Sequence, residues 1–154
     1  MVVRSPRWRR RPTAETIVKS AVLAAAKAVS TKRAELAIVL SDDSAVRTLN
    51  RQWRGKNAPT NVLSFPSPAP GKGRAASPYI GDVVIAYQTT AREAVAEKKL
   101  FDHHLAHLAV HGFLHLVGYD HDNDRDAEAM ERLERRILAR MGVADPYAER
   151  DAEA

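Results

Sequence analysis

Between residues 103 and 117 a histidine returns at every fourth position, His103, His107, His111 and His115, inside an otherwise apolar run. At about 100° per residue the four imidazoles fall in one narrow stripe of a helix. Leu105, Leu108, Val110, Phe113, Leu114 and Leu116 cover the rest of the cylinder. A helix that is apolar on nearly every side is a core helix, and imidazoles in a core cost free energy unless their nitrogens find partners. The chain must therefore wrap its other elements around this helix and give the stripe something to hold.

A metal ion is what the stripe and the residues after it can hold. His111 and His115, at i and i+4, can point two nitrogens at one ion. Gly118 then supplies a helix stop, because glycine tolerates the left-handed conformation of a C-terminal cap. The turn that follows, Tyr119 and Asp120, can bring His121 back to the same place, giving the spacing H-x3-H-x5-H. Three neutral imidazoles favour one zinc ion or a similar divalent transition metal, with a fourth position open to water or substrate. Satisfied core histidines, or a closed structural site, are the alternatives. Asp120 is a candidate acceptor behind a metal-bound histidine, although an aspartate in such a turn is also ordinary. His107 can hydrogen-bond near the site, while His103 and His104 are expected at its periphery.

The same layout occurs in the metzincin proteases, where a glutamate after the first histidine acts as general base. Here that position is Gly112. Glycine cannot accept a proton, and in mid-helix it costs about 1 kcal/mol relative to alanine, which speaks against proteolysis by that route. Gly112 is expected to leave room beside the metal for a substrate or a close backbone.

The remaining elements alternate. Thr13 can cap a helix carrying Ile17, Ala21, Ala25 and Ala28 at helical spacing. "ELAIVL" (35–40) reads as a buried strand. "SDDSAVRTLNRQWR" offers Ser41 or Asp42 as an N-cap, puts Val46, Leu49 and Trp53 on one face, and ends at Gly55 and Pro59. "NVLSFP" (61–66) and "GDVVIAY" (81–87) are strands, separated by the Pro/Gly/Ser-rich loop 67–78. From Gln88 onward the pattern is helical, read as two helices divided near Phe101–Asp102 with Asp102 as a cap. A last helix is capped by Asp122 or Asp124, with Met130, Leu133, Ile137 and Met141 facing inward. This order predicts a single α+β (α/β-like) domain, a small mixed β-sheet covered by helices with the histidine-bearing helix at its centre. The predicted organisation is a flexible basic arm over 1–12, the folded domain over 13–142 and a C-terminal tail over 143–154.

Composition narrows the partners. The 154 residues are enough for one core. They include no cysteine, which excludes disulfides and thiolate ligands and fits a reducing cytoplasm. Lys and Arg number 24 against 19 Asp and Glu, a net +5 that suits a polyanion. The apolar run Leu105–Val117 is too short to span a bilayer, so no membrane partner is expected. The opening "MVVRSPRWRRRP" lacks the compact apolar region of a signal peptide, although its arginines leave organelle targeting open. Arg51, Lys56, Lys72 and Arg74 are candidates to line a phosphate path. Trp53 and Tyr119 could each stack on a base, but core packing is the expectation for Trp53.

Taken together, "HLAVHGFLHLVGYDH", "LNRQWRGKNAPTNVLSFP" (49–66) and "GDVVIA" (81–86) resemble the signature of the YbeY endoribonucleases, also called rRNA maturation factors. The likeness runs from about Leu36 to Met141 in the family's order. It implies a metal-dependent, single-strand-specific endoribonuclease acting at the 3′ end of small-subunit rRNA and in ribosome quality control. Its expected partners are single-stranded RNA and the small subunit with its proteins, and no nucleotide cofactor is expected. It implies zinc on His111, His115 and His121, with His111 also counted as catalytic, and it maps the family's functionally important arginine onto Arg54. Independently, a metal ion can polarise a phosphoryl oxygen and activate water, and a guanidinium can stabilise the charge that phosphoryl transfer builds. Arg54 is the candidate for that role or for holding the RNA phosphate. The alternatives are a metal-stabilised assembly factor that cuts nothing, and a metallohydrolase of another substrate.

Overall fold

Strand β4 (Tyr79–Ala86) alternates toward two cores, and the rest of the molecule is arranged on its two sides. Val83 and Ile85 join the larger core, whereas Val84 and Ala86 join a smaller one with Val46 and Leu63. Burial on both faces explains why "DVVIA" reads as a continuous apolar run rather than an alternating one. In this computed structural model, which describes residues 1–30, 34–67, 78–120 and 122–148, β4 lies between β2 (Glu35–Ser41) and β3 (Val62–Pro66). β2 runs parallel to it, with Ile38 opposite Val83, and β3 antiparallel, with Val62 opposite Ile85. β1 (Val2–Val3) adds in parallel beyond β2, so the four-stranded mixed sheet has the order β1-β2-β4-β3. The α+β class and the mixed sheet are as the sequence predicts.

One face of the sheet is covered by α1 (Ala14–Ala28), α4 (Phe101–Leu116) and α5 (Asp124–Arg140). Their buried residues Val18, Ala21, Leu105, Phe113, Met130 and Ile137 form one core with Ile38, Leu40, Val83 and Ile85. α4 is buried along most of its length, as its nearly continuous apolar surface requires. On the opposite face α2 (Asp43–Arg54) rests on the smaller core through Val46 and Leu49. Its ends match the sequence signals: the Asp42 carboxylate accepts from Ala45 N–H at 2.9 Å, and Gly55 closes the helix at φ +69°.

Several expectations are corrected. The first twelve residues are not a flexible arm. Arg4 N–H donates to Leu40 O, continuing the β1 pairing, and Trp8 is 3% exposed, donating its Nε1–H to Ser41 O at 2.8 Å. The Trp8 indole meets Tyr87 and Phe101 edge-on, and Arg11 lies over the Phe101 ring. Composition reported the arginines but not the one aromatic that anchors the segment. Two helices do replace one after β4, but α3 (Tyr87–Ala96) ends in a reversal at Lys98, φ +56°. Leu100 is the N-cap of α4, and Asp102 lies in its first turn, where the helix dipole favours a carboxylate. α5 is capped by Asn123, which accepts from Asp126 N–H, rather than by Asp122 or Asp124. The presumed tail begins with Val143 against the core, and Tyr147 reaches Glu134. Among the described residues no helix is long and apolar enough to cross a membrane.

Candidate functional site

The histidine stripe faces α5. There Glu134 lies on the helix face shared by Met130, Ile137 and Leu138, and it is 1% exposed. A carboxylate in that position must be paired, and three groups pair it. Oε1 accepts from His111 Nδ1 at 3.2 Å, while Oε2 contacts His107 Nε2 and accepts from the Tyr147 hydroxyl at 3.1 Å. Burial alone would push the Glu134 carboxyl up; the hydrogen bonds from His107 and His111, joined by their charge at the acid pH where both rings are protonated, outweigh it and hold the carboxyl down to about 2. Glu134 is therefore an acceptor only.

That fixes the chemistry of His111. Its Nδ1 carries the proton given to Glu134, so in the neutral ring Nε2 presents a bare lone pair. His111 Nε2 and His115 Nε2 point at each other, 3.1 Å apart, as the i, i+4 spacing predicts. Two imidazole nitrogens turned together, one of them oriented by a carboxylate behind it, could serve as ligands of a metal ion with an outer hydrogen-bond partner. A second grouping shares His111: ligand atoms of His107, His111 and Glu134 lie within 4.8 Å of one another and could hold a metal ion. His121, the third imidazole expected from the sequence, lies outside the described residues.

The turn after α4 forms as its glycine requires. Gly118 has φ +102°, with Gly118 N–H donating to His115 O and Tyr119 N–H to Leu114 O, the paired bonds of a Schellman cap. Of the two uses expected of Gly112, room for a substrate or a close neighbouring element, the close approach is the one seen. A Cβ there would lie 2.7 Å from Val83 Cγ1 and 3.3 Å from both Ser64 Oγ and Val62 Cγ2, and Ser64 Oγ donates to Gly112 O at 3.0 Å. The glycine lets α4 settle onto β3 and β4 instead of making space for a substrate.

His111 and His115 open into a cleft of about 930 Å3 that follows β3, the terminal strand of the sheet. Arg54, Lys56 and Trp53 come from the end of α2, and Tyr119, Asp120 and Asp122 from the turn after α4. The structure thus brings Arg54, His111, His115 and Asp120 to one cleft, although they come from separate elements. Arg54 has no ion-pair or hydrogen-bond partner among the described residues. Lys72 and Arg74 lie outside the described residues. Trp53 is not a core residue: it is 71% exposed, with the Phe65 ring at 6.2 Å.

Glu134 and Tyr147 are the site residues that sequence reasoning missed. For Glu134 a signal existed, a carboxylate at helical spacing on an apolar face. For Tyr147, in a segment read as tail, there was none. His104 does not line the cleft, but it is not idle. It is 4% exposed and its Nε2 is 2.9 Å from Glu93 Oε1, which also accepts from Asn61 Nδ2.

Comparison with known proteins gives a consistent picture. The family model described as Endoribonuclease YbeY matches residues 7–142. The chain is 56% identical over 148 residues to the Endoribonuclease YbeY of Bradyrhizobium diazoefficiens, covering 93% of this chain and 81% of that relative. It is 59% identical over 148 residues to the Endoribonuclease YbeY of Rhodopseudomonas palustris strain BisA53, covering 94% and 86%. Among solved structures, the solution structure of TM1509 from Thermotoga maritima superposes with a TM-score of 0.60 at 20% identity, over 99% of this chain and 91% of that one. This last likeness bears on the fold alone.

Proposed function

The chain belongs to the YbeY endoribonuclease family, and on that premise we propose that it is a zinc-dependent endoribonuclease specific for single-stranded RNA. Its place would be the cytoplasm, in maturation of the small-subunit rRNA 3′ end and in ribosome quality control, with the small subunit and its proteins as partners. The observation that carries the metal assignment is the facing pair His111 Nε2 and His115 Nε2 at 3.1 Å. Two nitrogens bound tetrahedrally to one zinc ion would stand roughly 3.3 Å apart, so little has to move. His121 is the third ligand in this reading. The imidazole-only donor set favours zinc over the hard, oxygen-seeking cations.

A divalent ion held by His111, His115 and His121 would supply Lewis-acid polarisation of a phosphoryl oxygen and would lower the pKa of water near it. The chain's own groups do the rest. Glu134 keeps the proton on His111 Nδ1, so that Nε2 stays available. Arg54, from the same cleft, binds the scissile phosphate and offsets the charge that builds on it. Asp120, which lines the same cleft, is the acceptor behind a ligand ring in this reading.

The grouping of His107, His111 and Glu134 supports a second placement of the ion. The first is favoured because both carboxylate oxygens of Glu134 already accept ring protons, and an ion in their midst would have to displace them. Metal content of purified variants separates the two. His115→Ala is expected to lose the metal and His107→Ala to keep most of it, and the reverse pattern moves the ion. In the same series Arg54→Ala is expected to retain metal while cleavage of single-stranded RNA falls by about 100-fold or more. Unchanged cleavage by Arg54→Ala would remove that residue from the mechanism.

A further inference from the structure

Trp53 sits on the last turn of α2 with most of its indole in solvent, whereas the protein's other tryptophan, Trp8, is buried. A single exposed apolar side chain needs no explanation. Its surroundings do. The indole lines the same cleft as His111 and His115, with Tyr119 contributed by the turn after α4. Phe65, on β3, meets it at an interplanar angle of 63° and so braces it without burying it. Around it on the chain stand Arg51, Arg54 and Lys56, and no acidic residue occurs between positions 51 and 61. Of these cations Arg54 and Lys56 line the cleft beside the indole, and the cleft's carboxylates, Asp120 and Asp122, come from the turn after α4. An aromatic plane with two cations next to it in the chain fits a polyanion that also carries flat rings, phosphates going to the cations and a base to the indole.

We infer that Trp53 is a nucleobase-stacking subsite of the RNA cleft, and that it is the means by which the cleft selects single strands. The inference rests on the RNA-cutting reading and adds its mechanism of strand selection. In a duplex both faces of each base are occupied by its neighbours, and only edges and backbone are presented. An unpaired base can turn onto the indole. Every base has such a face, so the subsite confers strand selectivity with little sequence preference.

The protein's two tryptophans make the test direct. A short single-stranded 2′-O-methyl oligonucleotide, chosen to slow turnover, is titrated into the full-length protein, with binding followed by anisotropy and indole emission recorded in parallel. Quenching is expected in the parent and not in Trp53→Phe, whose only indole is the buried Trp8. Trp53→Ala should bind the oligonucleotide about 5- to 150-fold more weakly, with Trp53→Phe recovering part of the loss and melting temperature and metal content unchanged. On an abasic strand of equal length the parent and Trp53→Ala should bind alike, which a merely structural role would not produce. Binding without quenching, or an equal loss on the abasic strand, overturns the stacking subsite and leaves the RNA reading standing. Failure of the parent to bind single-stranded RNA at all overturns both.

Discussion

Glu134 does most to define the centre, because its ionised carboxylate decides which nitrogen of His111 keeps the proton. Glu134→Gln preserves shape but replaces one acceptor oxygen with a donor, while three donors still converge on it. The expected consequence is a loss of metal affinity of about 10- to 100-fold, measured by competition with a chromophoric chelator and independent of any cleavage assay. Unchanged affinity would mean that the carboxylate serves only to fill the core. The sequence carried a trace of this arrangement in the spacing of Met130, Glu134, Ile137 and Leu138. It could not name the partner, because the contact joins residues 23 positions apart on different helices.

Among the elements, α4 is where local propensity and tertiary contact disagree. Gly112 weakens the helix by about 1 kcal/mol relative to alanine, yet an alanine Cβ would meet Val83 Cγ1 at 2.7 Å. Val83 is β-branched and confined to the central strand, so it yields poorly. Overpacking of this kind costs about 1–3 kcal/mol. Gly112→Ala is accordingly expected to lower stability by about 1 kcal/mol net in denaturant unfolding, and adding Val83→Ala should recover part of the loss. A more stable Gly112→Ala protein would show that helix propensity governs this position. The break between α3 and α4 teaches a similar lesson. With no glycine or proline nearby, a lysine takes the left-handed conformation, and nothing local marks it.

At the scale of the whole molecule, the Asn61–Glu93–His104 network joins the start of β3 to α3 and α4. Burial pushes the Glu93 carboxyl up, but hydrogen bonds from His104 and Asn61, with the charges of His104 and Lys99, hold it below the usual 4.5. A carboxyl whose pKa is lower folded than unfolded stabilises the fold above its unfolded value, and that contribution is lost as pH falls through the folded one. Stability is thus expected to fall as pH drops below about 4.5, and Glu93→Gln should flatten that part of the curve in melting measurements across pH 2–6. An identical acid limb in the variant would exclude the network as its source. Because Glu93 is partly exposed, solvent screening keeps the effect modest.

By itself the sequence determined what depends on neighbours along the chain. It specified the strands and helices by periodicity, the stops at Gly55 and Gly118, the cap at Asp42, and the pairing of His111 with His115. These are set within a turn or two, where residue type and spacing carry the physics. Only the tertiary structure decided what depends on distant residues. It brought Glu134 behind His111, used Gly112 for contact with the sheet, buried Trp8 of the basic N-terminus, and left Trp53 in the cleft. Whether an aromatic is covered, or a carboxylate paired, is settled by which elements meet across the core, and that meeting leaves no periodic mark in the residues beside it.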